Sequence, residues 1–320
     1  EYLENAKEID VDIIRDKNAE IYVAGIMEHI EEAGIHSGDS ACSLPPYSVS
    51  KETQNKIIEW VSKIANEINV VGLMNTQLAI KDKKIYVLEV NPRASRTVPF
   101  VAKSKGIPVA KIAAKVMVGE NLNSILNDYK INELKNFNVK ESVFPFNKFD
   151  GVDLILGPEM KSTGEVMGID ETFLSSYIKS QIACGNILPS KGTVFISIDN
   201  DNKKFIIEIA QKLKELDFNL LATKGTAEYL NSNNIKTKIV NKVKEGNPNV
   251  VDSLINNEIQ LVINTTKTQS SIRDSYSIRR TSLMYNIPYY TTIAGAKVAV
   301  DAIEHMKTQE FTIKSLQTIN

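Results

Sequence analysis

The chain has 320 residues, 42% hydrophobic and 24% charged, with a formal net charge of −1, which is the composition of an ordinary globular protein of about two domains. The near-zero charge excludes a general nucleic-acid or membrane-surface role, and no apolar run reaches the roughly 18 residues needed to span a bilayer. Two distant cysteines, Cys42 and Cys184, exclude a disulfide scaffold and fit a reducing, cytoplasmic setting, while His29, His36 and His305 form no zinc pattern.

The first residues have neither a signal-peptide shape nor an initial Met, so the chain reads as a piece of something longer. Val11–Ile14 and Ile21–Val23 predict paired strands around the polar turn 16–19. Gly25–Tyr47 reads as a loop crowded with polar groups. Ser50 predicts the cap of a helix over 51–67, with Thr53, Ile57, Trp60, Val61 and Ile64 at near-helical spacing. Val71–Ile80 alternates as a strand carrying Gln77, and the turn 81–84 returns the chain antiparallel. A helix over 109–118 follows Pro108 and stops at Gly119. Residues 120–140 suggest short helical pieces, 141–168 lack clean periodicity, and 172–183 read as a helix. The run 184–192 reads as a linker. Beyond it, strands at 193–198, 219–222, 237–240, 261–264 and 289–291 alternate with helices near 203–216, 226–232, 250–256, 272–286 and 294–304. That alternation predicts a parallel sheet with right-handed crossovers and a ligand at the strands' carboxyl ends.

The densest chemistry lies in residues 84–100, KIYVLEVNPRASRTVPF. Ile85–Leu88 has the pattern of a buried strand. Glu89 and Asn91 then offer two oxygen donors on one strand face, and Gln77 on the neighbouring strand shares that face. Such a set suits Mg²⁺, which takes oxygen ligands and shares them with phosphates. Arg93 and Arg96 follow at once and can hold an anion. Taken singly, a Glu at a strand end is a solvated rim residue and clustered arginines are surface charge.

The longer string from Glu89 to Glu120 resembles the carboxylate-metal strand of ATP-grasp enzymes. In this form it resembles the large subunit of carbamoyl phosphate synthetases, over nearly the whole chain. The resemblance implies the C-terminal part of an ATP-grasp domain with a mixed or antiparallel sheet (1–120), a connecting subdomain (121–188), and a flavodoxin-like, methylglyoxal-synthase-like regulatory domain on five parallel strands (189–320). It implies Gln77, Glu89 and Asn91 as ligands of Mg²⁺ or Mn²⁺, His36 and Arg96 as substrate and phosphate contacts, and Arg93 as a further contact to the nucleotide. It places Glu8, His29 and Ser40 where the family builds a K⁺ site. The implied reaction is ATP-dependent phosphorylation of carbamate, with ammonia supplied by a glutaminase small subunit, for pyrimidine and arginine synthesis. ATP-grasp domains also use a Gly-rich phosphate loop and an adenine-holding lysine further upstream, and neither occurs here. The chain is therefore expected to be inactive alone.

In the second half, the hydroxylated turn 222–227, the Lys242 turn and the strand end 263–266 would together cradle a phosphate without supplying a nucleophile. Each is also an ordinary cap or turn. The resemblance implies a nucleoside monophosphate site from Ser197, Lys203, Thr223, Thr226, Lys242, Asn264 and Thr266, with UMP the favoured effector and IMP an alternative. Arg279 and Arg280 read equally as a solvated helix face. The resemblance further implies an ornithine site from Glu31, Asp39, Glu141, Tyr289 and Thr291. Position alone makes 141–168 the coupling segment. Two rival readings are another ATP-grasp carboxylate ligase and a non-catalytic nucleotide-sensing module.

Overall fold

The computed structural model describes residues 3, 6–131, 134–149, 151–266, 269–309, 312, 313 and 315. They fall into two units, residues 1–142 with 157–180, and residues 143–156 with 181–310.

The first unit is built on β1 (Lys7–Arg15), β2 (Ile21–Glu32), β3 (Cys42–Leu44), β4 (Gly72–Lys81), β5 (Lys84–Asn91), β6 (Phe137–Val143) and β7 (Gly164–Asp170), with α1 (Lys51–Glu67), α2 (Val98–Lys105), α3 (Val109–Met117), α4 (Leu122–Leu126) and α5 (Phe173–Ala183), the last continuing into residues of the second unit. The sheet order is β5-β4-β1-β2-β3-β6-β7. β1 lies antiparallel to both β2 and β4, and β4 antiparallel to β5.

Alternation along β1 decides what each face carries. Ile9, Val11 and Ile13 pack with Ile57, Val61 and Ala65 of α1. Ile14 turns to the other face and packs with Val98, Phe100 and Val101 of α2 and Ile112 and Val116 of α3. Glu8, Asp10 and Asp12 share that second face and are buried there.

Several elements depart from the sequence reading. The segment 25–47 is not a loop throughout, because β2 continues to Glu32 and β3 occupies Cys42–Leu44. Glu28 is buried within β2 because its carboxylate accepts the backbone N–H groups of Ser48 (2.7 Å) and Val49 (3.2 Å) and meets Lys7 at 3.0 Å. β5 is not a buried strand. It is the sheet's terminal strand, and Val87 and Leu88 are 42% and 46% exposed. α2 was not expected, and among the described residues of 120–140 only Leu122–Leu126 is helical before β6 begins at Phe137. β7 stands inside the stretch that showed no periodicity.

The second unit carries β8 (Thr193–Ser197), α6 (Lys203–Glu215), β9 (Asn219–Ala222), α7 (Lys224–Ser232), β10 (Lys238–Ile239), α8 (Val250–Ile255), β11 (Leu261–Asn264), α9 (Gln269–Asp274), α10 (Tyr276–Met284), β12 (Tyr289–Tyr290) and α11 (Ile293–Thr308). All five strands are parallel, in the order β10-β9-β8-β11-β12. The order reverses between β8 and β11, where open α/β sheets leave a ligand crevice. The expected helix 272–286 is two helices, and α7 starts two residues earlier than expected. No helix of the described residues is long and apolar enough to cross a membrane.

Candidate functional site

Strand pairing brings oxygen-bearing side chains together across the first unit. Asp10 of β1 pairs with Gln77 of β4, and Gln77 pairs with Glu89 of β5. One step along, Asp12 pairs with Asn75, and Asn75 with Asn91. Residues directly opposite in an antiparallel ladder point to the same face. Two parallel rows, Asp10–Gln77–Glu89 and Asp12–Asn75–Asn91, thus cross three strands. They run from buried carboxylates on β1 to the exposed Glu89 and half-buried Asn91. Arg93 and Arg96, both exposed, stand on the turn that leaves Asn91.

Glu8, Asp10 and His29 bring one ligand atom each within 4.8 Å of one another, all three buried. His29 Nε2 lies 3.2 Å from Asp10 Oδ2. Asp10 Oδ1 is buried without a hydrogen-bond partner. Burial opposes a charge on His29, but the hydrogen bond and charge of Asp10 and the charge of Glu8 outweigh it, so the imidazole pKa lies above its ordinary value. Burial lifts the Glu8 carboxyl above the usual range, with His29 opposing and Asp10 adding to the shift. Two buried carboxylates, one with an unused oxygen, fit a hard cation, and the imidazole supplies part of the compensating charge.

Ser40, expected with Glu8 and His29, is buried and bonded to Glu31. Its hydroxyl donates to Glu31 Oε2 at 2.6 Å, and the Ala41 N–H donates to the same oxygen at 2.7 Å. The loop of His36 and Asp39 is held from a distance in sequence. The His36 N–H donates to the Gly157 carbonyl at 2.8 Å. Asp39 accepts from the N–H groups of Lys161 (2.8 Å) and Ser162 (2.9 Å). Buried Lys140 donates to the Ser37 carbonyl at 3.1 Å. Of the expected amino-acid contacts, Glu31, Asp39 and Glu141 belong to the first unit, Tyr289 and Thr291 to the second.

In the second unit Ser197, Lys203, Thr223, Thr226, Lys242, Asn264 and Thr266 all line one cavity of about 480 Å³ at the carboxyl ends of the strands. Asp199, Lys244 and Thr265 also line it and had not been singled out. Thr265 donates to Asp199 Oδ2 at 2.6 Å and accepts the Asp199 N–H at 3.1 Å, which ties the β8 and β11 ends together. Lys244 Nζ pairs with Asp274 Oδ1 at 2.5 Å. The Asn264 amide donates to the Tyr289 hydroxyl at 2.8 Å. Thr223 is the N-cap of α7 and makes no side-chain cap bond to the helix, and Thr223, Gly225 and Thr226 place its first turn on the cavity lining. Lys203, Lys242 and Lys244 line this cavity together with the N-terminus of α7, and Asp199, Glu245 and Asp274 line it as well.

Arg279 is not on a solvated face. It is 1% exposed and forms a two-pronged pair with Asp153, while its Nη2 also donates to the Ile272 carbonyl.

Comparison with known proteins fits both units. The family described as carbamoyl-phosphate synthase L chain, ATP binding domain, matches residues 1–125, and the MGS-like domain family matches 205–291. The carbamoyl phosphate synthase large chains of Myxococcus xanthus and Archaeoglobus fulgidus are each 50% identical over 99% of this chain. This chain spans 29% of each of them. The large chain's separate C-terminal section in Methanocaldococcus jannaschii is 46% identical over the whole chain and is covered over 53% of its length. A biotin carboxylase domain of a thermophilic 2-oxoglutarate carboxylase, solved with bicarbonate, covers 57% of this chain and is covered over 46% of its own length, at 17% identity and a TM-score of 0.44.

Fold and sites together define the C-terminal part of an ATP-grasp domain followed by a methylglyoxal-synthase-like domain. The chain belongs to the carbamoyl phosphate synthase large-chain family, matching the C-terminal section of its members.

Proposed function

We propose that the chain supplies the metal-binding side of a phosphoryl-transfer site and its effector domain, in a synthase that makes carbamoyl phosphate from carbamate and ATP. The observation that supports this best is the pair of oxygen rows ending at Glu89 and Asn91 beside Arg93 and Arg96. In the proposed step a carbamate oxygen attacks the γ-phosphorus of ATP and ADP departs. Catalysis of such a transfer is mostly positioning and charge neutralisation. Gln77, Glu89 and Asn91 would hold Mg²⁺ or Mn²⁺, which neutralises phosphate oxygens when bound. Arg96, with Arg93 and His36, offsets the repulsion between two anions. Glu8, joined here by Asp10, would offer carboxylate oxygens to K⁺ beside the nucleotide, with His29 bonded to Asp10 and Ser40 the further expected member of the site.

The cavity of the second unit would take UMP, with IMP the alternative, and Lys203, Lys242 and Thr223 would meet its phosphate. An ornithine ammonium would be met by carboxylates of the first unit, Glu31, Asp39 and Glu141. Residues 141–168 are the natural coupling segment. Asp153 is anchored by Arg279 within the second unit, and four residues later Gly157 begins the stretch that pins His36 and Asp39 in the first. A glutaminase small subunit would supply ammonia, and the product would feed pyrimidine and arginine synthesis in the cytoplasm.

Replacing Glu89 with Gln in the natural full chain tests this reading. Carbamate phosphorylation should fall by about 10²-fold or more, the scale of losing one charge-neutralising group at the reacting centre. Unchanged turnover would reject the assignment.

A further inference from the structure

The turn that carries Arg93 and Arg96 leaves β5 at Asn91 and enters α2 at Val98. Both arginines are exposed, and like charges this close would spread the turn unless something fixed its backbone. The fixing group comes from β1. Asp12 is fully buried, and among the described residues its carboxylate accepts hydrogen bonds from β4 and from this turn. Its Oδ1 accepts from Asn75 Nδ2 at 2.9 Å and from the Ser95 hydroxyl at 2.8 Å. Its Oδ2 accepts from the Thr97 hydroxyl at 2.7 Å. The Ser95 and Thr97 hydroxyls are themselves 2.7 Å apart. Arg96 is the residue between them.

A second observation points the same way. Thr97 is the N-cap of α2, yet its side chain makes no cap bond to the helix. A threonine there ordinarily accepts an N–H of the first turn, a bond contributing about 1 kcal/mol. Here the hydroxyl is directed to Asp12 instead. The helix forgoes its own cap so that the turn before it is tied to β1. Asn75 extends the clamp, because it pairs in register with both Asp12 and Asn91. One buried carboxylate thus fixes the strand end that bears Asn91 and both neighbours of Arg96.

We propose that Asp12 is a positioning residue for phosphoryl transfer: it touches no substrate and acts through Arg96, holding the Ser95–Thr97 turn in the geometry that receives the anion. This rests on the phosphoryl-transfer reading above.

The test is a double-mutant cycle in the natural full chain, following transfer between ATP and carbamate in either direction. The variants are Asp12→Asn, Thr97→Val, Arg96→Ala and the two doubles with Arg96→Ala. Thr97→Val keeps shape and removes one bond of the clamp, so it remains informative if Asp12→Asn folds poorly. Each clamp variant should lower kcat/KM by about 10- to 100-fold, the effect of a small misplacement near the reacting atoms. In the Arg96→Ala background the same substitution should cost less than about 3-fold, because residues that act as one unit are not additive. Full multiplication of the single effects in both cycles would overturn the proposal, as would clamp variants with wild-type kcat/KM. A wild-type chain that transfers no phosphoryl group between these substrates would instead reject the underlying function.

Discussion

Lys105, the last residue of α2, has its ammonium 5.2 Å from the ring centroid of Tyr22 and 3.4 Å from both the Tyr22 hydroxyl and the Val23 carbonyl. Its neighbours are a ring and two neutral oxygens at the outer limit of hydrogen bonding, and burial pulls its pKa down to about 8. A lysine with a folded pKa below its unfolded one destabilises the fold while charged in both states. That penalty is present in full below pH 8 and is relieved as pH rises towards 10.5, because the folded state sheds its proton first. Lys105→Met should therefore raise the urea-unfolding free energy at pH 7 by about 1–3 kcal/mol, and the gain over wild type should shrink by pH 9.5. A difference that grows with pH would contradict the assignment. Asp12 shows the same dominance of burial over charge at the same scale, with the opposite sign of shift because its charged form is the deprotonated one. Burial lifts its carboxyl to about 6, while the bonds from Thr97, Asn75 and Ser95 pull it down. Nothing in the sequence singles Asp12 out, because the three donors that occupy its carboxylate stand 63 or more positions away.

At the scale of elements, α1 was legible from its residues. Ser50 accepts the Thr53 N–H at 3.2 Å, and Ile57, Val61 and Ala65 form the buried stripe. Ser50→Ala should cost about 1 kcal/mol, read as a lowered unfolding midpoint with an unchanged m-value. A change in m-value instead would mean that Ser50 shapes more than the helix terminus. α2 was missed although its punctuation is present: Thr97 at the N-cap, Pro99 in the first turn and Gly106 at φ 67° as a left-handed C-cap. Its apolar stripe is short, so periodicity stayed silent. The second half of β2 was missed for a different reason. Glu28 and His29 interrupt the alternation that marks a strand, and they are tolerated because Ser48, Val49, Lys7 and Asp10 satisfy them. β6 hides in the same way behind buried Lys140, whose ammonium is taken up by backbone carbonyls.

At the scale of the whole molecule, the cavity proposed for an effector lies within the second unit, since its lining residues all belong to residues 181–310. Calorimetric titration of UMP should give a binding isotherm with this chain. Lys242→Ala should weaken it by about 10- to 100-fold, the worth of one charge-assisted contact to a phosphate. A folded wild-type chain that takes up no UMP would point to another effector anion, with IMP the first to try.

The sequence by itself determined the elements whose evidence is local. The five strands of the second unit, the β4–β5 hairpin and the shared face of Gln77, Glu89 and Asn91 follow from periodicities and turns within ten to twenty residues, which any register of the fold must respect. The tertiary structure alone decided that Asp10 and Asp12 stand in the same cross-strand rows as those residues and that Arg279 is anchored rather than solvated. Asp12 meets Asn75 and Thr97 at separations of 63 and 85 positions, and Arg279 meets Asp153 at 126. A charged side chain carries no mark of burial in sequence. Whether it is a rim residue or a clamp is set by which strand pairs with its own, and long-range pairing is what folding decides.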